Sequence, residues 1–230
     1  MSMNLLTDTR AQATWDATYA TDDQEISVWA QLPFVDLAID TFRASGHGPI
    51  LELPCGGGRN TVPLARALPA IVGVDLSFGA LDLARRVLAR EPVNNCALVH
   101  ADIGSLPFPD ETFGGVFCAD LLGHLSEPRR ALAELVRVCR PGARIVVNFF
   151  GVEDSTRDDS ENEVTSEHSV VYRDVYFRYD DLAAVKCALD VDRARLLSLN
   201  ELRWAEGPHP GYRDYPHDHH GFLAVLERTS

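Results

Sequence analysis

Pro49-Ile50-Leu51-Glu52-Leu53-Pro54-Cys55-Gly56-Gly57-Gly58-Arg59-Asn60 decides the fold. A short apolar run ends in an acid, a glycine cluster follows, and Thr61-Val62-Pro63-Leu64-Ala65-Arg66-Ala67-Leu68 reads as a helix. That order is strand, tight turn, helix. Glycines at such a turn let backbone approach a ligand closely, and the helix N-terminus offers free N–H groups. The stretch reads as the first crossover of a nucleotide-binding α/β sheet. It is not the dinucleotide fingerprint, because Gly56-x-Gly58-x-x-Thr61 lacks the third glycine.

Working outward, Ile50 to Leu53 is the first strand and Ala70-Ile71-Val72-Gly73-Val74-Asp75-Leu76 the second. Near-continuous apolar runs suit parallel strands covered on both faces. Asp75 closes the second strand, where an acid can accept ribose hydroxyls or cap the helix that follows. Phe78 to Ala89 is helical, with Leu81, Ala84, Val87 and Leu88 on one face. A third strand, Ala97 to Ala101, ends in Asp102-Ile103. Glu52, Asp75 and Asp102 therefore close three successive strands, and in an open parallel sheet those ends share one crevice.

The acid-x-x-x-Gly-x-Gly order of Glu52, Gly56 and Gly58 resembles the first motif of class I S-adenosylmethionine-dependent methyltransferases, with Pro54 where the first glycine usually stands. The run from Pro107 to Phe149 is similar to the small-molecule members' pattern Leu-Pro-Phe-x-Asp-x-x-Phe-Asp, His-Leu, Leu-x-Pro-Gly-Gly; Gly114 replaces an aspartate and Ala143 the second glycine. The likeness covers residues 50 to 150. It implies a Rossmann-like, mostly parallel seven-stranded α/β sheet, with the last strand inserted antiparallel and helices on both faces. It implies S-adenosylmethionine as cofactor, held by Tyr19, Glu52, Pro54, Cys55, Gly56, Gly58, Asp75, Leu76, Asp102, Ile103 and Ala119. Asp75 would take the ribose, Leu76 would lie against the adenine, and Asp102 would accept the adenine amino group.

A helix is expected from Asp22 to Phe42. Trp15 and Tyr19 before it resemble the family's cap over the cofactor; the alternative is a packing helix with a buried tryptophan. Ser126 is expected to cap a helix with Pro128 in its first turn, and Arg140-Pro141-Gly142 to stop it. Val152 to Glu167 carries seven acids against Arg157 alone and no apolar period, so it reads as a loop or disordered stretch at the ligand end. Asp181 opens a helix to Leu189. Arg195 to Trp204 and Phe222 to Leu226 are the last two strands.

The 230 residues with 46% hydrophobic content suit one α/β domain, with residues 1–45 as a helical cap and residues 151–180 and 205–220 as substrate-side loops. Scattered cysteines without a Cys-x-x-Cys pair and a polar N-terminus suit a reduced, cytoplasmic protein away from membranes. A net charge of −13 opposes phosphate backbones, so a small-molecule acceptor is expected rather than nucleic acid. Such an acceptor needs alignment with the methyl group and, if a hydroxyl, a general base. His124, after the fourth strand, is the catalytic candidate and Asp120 a lesser one. The loop from His209 to His220 should lie at the mouth of the acceptor pocket, lined by Tyr212, Tyr215, His217, His219 and His220. In extended chain His217 and His219 share a face and His220 takes the other. No helical or Cys/His ligand spacing is present, so no metal is assigned. Two rival readings remain: a protein that keeps the cofactor fold but acts as a cyclase or binding partner, and a nicotinamide oxidoreductase.

Overall fold

The computed structural model describes residues 9–20, 31–45, 48–209 and 213–230. Six helices are seen among them: α1 (Thr9–Tyr19), α2 (Val35–Ser45), α3 (Thr61–Ala67), α4 (Phe78–Ala89), α5 (Pro128–Val138) and α6 (Leu182–Leu189). The strands are β1 (Ile50–Leu53), β2 (Ile71–Asp75), β3 (Cys96–His100), β4 (Phe113–Cys118), β5 (Cys139–Phe150), β6 (Glu163–Ser166), β7 (Ser169–Tyr172), β8 (Val175–Arg178), β9 (Ala194–Glu206) and β10 (His217–Arg228).

Seven strands form one sheet in the order β3-β2-β1-β4-β5-β10-β9. The first five are parallel, and β10 runs antiparallel to both β5 and β9. The expected architecture is thus present, including the insertion of the last strand. β1 and β4 are buried at every position, Glu52 of β1 included, as strands covered on both faces are. Alternation sends neighbouring residues into opposite cores. Leu51, Val116 and Ile145 join Leu132 and Leu135 of α5 on one face; Ile50, Phe117 and Val146 join Phe42 of α2 and Leu64 of α3 on the other. Each such side chain contributes about 1.5–3 kcal/mol when fully buried.

Four local expectations are corrected. The helix expected from Asp22 falls partly on residues outside the described set; α2 itself begins only at Val35. Pro33 disfavours helical backbone at Leu32, and the Leu32 N–H bonds Asn60 Oδ1 at 3.0 Å instead of a helix carbonyl. Ser126 does not cap α5: Glu127 holds that position with no side-chain bond, and Pro128 is the first helical residue. Arg140-Pro141-Gly142 belongs to β5, where the register against β4 shifts between Phe113 and Gly115. Such an irregularity accommodates Pro141, which has no donor, and Gly142 at φ +86°.

The fourth correction concerns residues 152–167. They include an ordered turn, Ser155–Asp158, and the strand β6, which joins β7 and β8 in a small antiparallel sheet. Side chains hold this stretch together in place of an apolar face. Arg157 donates to the carbonyls of Val152 and Glu167, and Asn162 to those of Thr156 and Arg157. Every residue of β6 is exposed, which is why no apolar period marks it. Among the described residues no helix is long and apolar enough to cross a membrane.

Gly115 lies where the Phe42 ring rests directly on β4. A Cβ there would stand 2.7 and 2.9 Å from two ring atoms and 3.1 Å from Ile50. Gly115→Ala is expected to destabilise the fold by about 1–3 kcal/mol through overpacking. Urea denaturation should show a lower midpoint at unchanged slope.

Candidate active site

Parallel strands bring their C-terminal ends to one side, and a cavity of about 510 Å³ opens there. Its walls include Leu53 and the turn after β1, Asp75 at the end of β2, and Ala119 and Asp120 after β4. Glu206 at the end of β9 and His217 at the start of β10 close the far side. α1 crosses the top with Trp15 and Tyr19. It is docked by Asp16, whose Oδ1 accepts from Ser77 Oγ at 2.6 Å and from the Gly79 N–H at 3.1 Å. Gln12 adds a bond to the Leu76 carbonyl at 3.2 Å.

The turn is shaped for close approach. Gly56 and Gly58 have φ of +50° and +94°, and a Cβ on Gly56 would lie 2.8 Å from the Tyr19 hydroxyl. Asp75 locks the turn: Oδ2 accepts from the Gly56 N–H at 2.8 Å and Oδ1 from the Ser77 N–H at 2.9 Å. Burial pushes its carboxyl up to about 6, against those two bonds. A carboxylate has about four lone-pair sites, so Asp75 retains acceptor capacity at the cavity wall. Asp102 accepts from the Gly104 N–H at 2.8 Å and likewise borders the cavity with Ile103.

Of the cofactor residues read from the sequence, Tyr19, Pro54, Cys55, Gly56, Gly58, Asp75, Leu76, Asp102, Ile103 and Ala119 line this one cavity. Glu52 does not. It is buried behind the wall, and neither carboxylate oxygen has a hydrogen-bond partner among the described residues. Burial pushes its pKa up to about 8.

His124 borders the cavity and has Trp15, Phe150 and Phe177 rings edge-on around it. Burial lowers its pKa, outweighing its bond to the Tyr176 carbonyl. That carbonyl, 2.9 Å from Nδ1, accepts the ring proton, so the lone pair of the neutral imidazole sits on Nε2. Asp120 is otherwise engaged: Oδ1 accepts from Asn148 Nδ2 at 2.8 Å and Oδ2 from Arg59 at 2.8 Å.

On the acceptor side the expected loop is shorter, because β10 already begins at His217. His217 and His219 face the cavity. His220 turns to the other face of the sheet and pairs with Glu201 at 3.0 Å, which corrects its assignment as a lining residue. Tyr215 is also off the wall; it is 40% exposed and its hydroxyl bonds Asp159. Tyr212 lies outside the described residues. The structure adds residues that sequence reasoning missed. Arg59 joins Asp120 to Glu206 Oε1, the latter at 3.2 Å, and Glu206 Oε2 stands 2.8 Å from His209 Nε2. Asp154 Oδ2 accepts from His219 Nδ1 at 2.8 Å. Burial opposes charge on His219, yet Asp154 and Glu206 push its pKa up to about 9. Burial likewise opposes charge on Asp154 and Glu206, and their hydrogen-bond partners hold both below the usual carboxylate range. Arg59 beside a glycine turn was the one local signal: a cation there has to find carboxylates.

The sheet order and the strand-end cavity define a Rossmann-like methyltransferase fold. Residues 51–147 match the methyltransferase domain family. A demethylmenaquinone methyltransferase of Clavibacter sepedonicus is 41% identical over 44% of this chain and 40% of its own length. An O-methyltransferase of Penicillium expansum is 32% identical over 58% of this chain and 48% of its own. The chain thus spans about half or less of the length of these curated relatives. Among solved structures, the cyclase SpnF superposes with a TM-score of 0.69 at 14% identity, over 96% of this chain and 97% of that one, a likeness of fold. The match to that domain favours S-adenosylmethionine over a nicotinamide as the cofactor. The residues fit that cofactor, because Asp75 keeps acceptor sites at the wall and the glycine turn leaves room beside it.

Glu52 generates a test of the buried acid. Its folded pKa lies above its unfolded value, so the folded state binds the extra proton between about pH 4.5 and 8. Stability should therefore fall as pH rises through that window, by on the order of a few kcal/mol in total. Glu52→Gln should make the decline shallower, leaving the part that His219 contributes, read as denaturation midpoints from pH 5 to 9.

Proposed function

We propose that this protein transfers a methyl group from S-adenosylmethionine to a small-molecule nucleophile. The observation that supports the reading best is the convergence of the turn after β1 with Asp75 and Asp102 on one cavity. When bound, the cofactor supplies a methyl group on a sulfonium, which needs alignment rather than activation. Asp75, Asp102 and the Gly56–Gly58 turn would hold it. Trp15, Tyr19, Phe150 and Phe177 would exclude water from the acceptor end. His124 would accept the acceptor's proton at Nε2, the nitrogen left free of hydrogen by the Tyr176 bond. A cavity of about 510 Å³ is of small-molecule size, and the net charge of −13 disfavours nucleic acid. Relatives named for demethylmenaquinone and for oxygen methylation agree with a small organic acceptor.

Calorimetry with S-adenosylmethionine should show binding, weakened about 10- to 100-fold in Asp75→Ala, the equivalent of losing a charge-assisted bond pair at 1.5–3 kcal/mol. Incubation with candidate acceptors should release S-adenosylhomocysteine, detected by mass spectrometry. Binding without that product across a broad panel would favour the cyclase or binding-partner reading instead.

The base is tested separately. His124→Gln should lower kcat by about 10²–10⁴ and leave cofactor affinity unchanged. A wild-type rate that falls in acid, with the limb below the ordinary histidine range, would match the lowered pKa.

A further inference from the structure

The acceptor end holds a group of side chains that methyl transfer does not require. Register in the sheet sets His217 opposite Glu206 and His219 opposite Trp204, and alternation gives the two histidines one face. One ligand atom from each of Glu206, His217 and His219 lies within 4.8 Å of the others. Both imidazoles are oriented from behind. The Nδ1 of His219 donates to buried Asp154 at 2.8 Å, and the Nδ1 of His217 donates to the Tyr215 carbonyl at 3.1 Å. Those bonds leave Nε2 of each ring for the centre, and Nε2 of His219 stands 3.7 Å from Glu206 Oε2. A carboxylate or carbonyl behind the far nitrogen is the arrangement that fixes metal-binding histidines. Glu206 is divided in the same sense: Arg59 takes Oε1, and Oε2 faces the imidazoles.

Charge points the same way. Asp120, Asp154 and Glu206 carry three negative charges and Arg59 one positive. With neutral imidazoles the group is two charges negative, in a site removed from bulk water. A divalent ion balances that excess.

We propose that Glu206, His217 and His219 bind a divalent transition-metal ion at the acceptor end of the cavity, with His209 beside it. Two imidazoles and one carboxylate suit zinc or ferrous iron rather than magnesium or calcium, whose ligands are oxygens. Three protein ligands leave a coordination position open. All three line the cavity, so that position faces the acceptor, and the ligand class it takes is an oxygen donor such as an enolate or phenolate. Metal binding itself rests on side-chain geometry alone; only the acceptor's role rests on the methyl-transfer reading.

The test is titration of chelator-treated full-length protein with Zn²⁺, and with Co²⁺ as a spectroscopic probe, in the absence of cofactor. Wild type should take up about one equivalent and show a low-symmetry Co²⁺ absorption band. His217→Ala and His219→Ala should each weaken binding at least ten-fold, and Asp154→Asn by about 10- to 100-fold. His168→Ala, an exposed histidine elsewhere, should change nothing. His217→Gln is the safeguard against misfolding, because His217 donates only to a backbone carbonyl and its loss strands no carboxylate. Absence of binding by wild type, or binding that survives in His217→Ala, His217→Gln and His219→Ala, would overturn the proposal. Zinc binding without S-adenosylmethionine binding would sink the methyl-transfer reading and leave the metal site standing.

Discussion

One guanidinium joins the two halves of the site. Arg59 leaves the glycine turn and reaches Asp120 after β4 and Glu206 at the end of β9. Its charge is largely removed from water, and a charge so placed needs partners or costs several kcal/mol. The turn, the exit of β4 and the far edge of the sheet are thereby held at one spacing. Asn148 braces Asp120 from β5, and the neighbours of Glu206 brace the other end. Positions of the glycine turn and of the far cavity wall are therefore coupled through ionic contacts, not through packing alone.

Much of the sheet was legible because its strands state their environment. β1, β2 and β4 are covered on both faces and read as mostly apolar runs. α4 showed its start as well, since Ser77 accepts from the Ala80 N–H at 3.0 Å. β6 was invisible for the opposite reason. Its residues are all exposed, and its order comes from Arg157 and Asn162 side chains bonding backbone. The start of α2 was misplaced because a distant residue, Asn60, captures the Leu32 N–H.

The same distinction applies to the site. Asp75 and Asp102 sit at strand ends, and their contacts lie within a few residues or one crossover. Topology alone delivers them to the cavity. Arg59 and Glu206 are 147 positions apart, and Asp154 meets His219 across 65. Such pairs depend on how β9 and β10 are registered, and one residue of slip would turn His217 and His219 to the other face. His220 shows that outcome in miniature, since it is the neighbour that points away.

The insertion of β10 leaves β9 as an outer strand of the sheet. An outer strand of thirteen residues offers a long row of unpaired backbone groups, the usual template for unwanted strand addition. Here Arg195, Asn200, Glu201 and Arg203 are exposed along it. The pairing also skips Leu197, where Leu196 and Ser198 face consecutive residues of β10. A bulge of that kind sharpens the local twist. A foreign strand approaching edge-on meets charges it would have to dehydrate and a backbone out of step with its own. The strand that closes the far side of the cavity thus carries its own protection against aggregation.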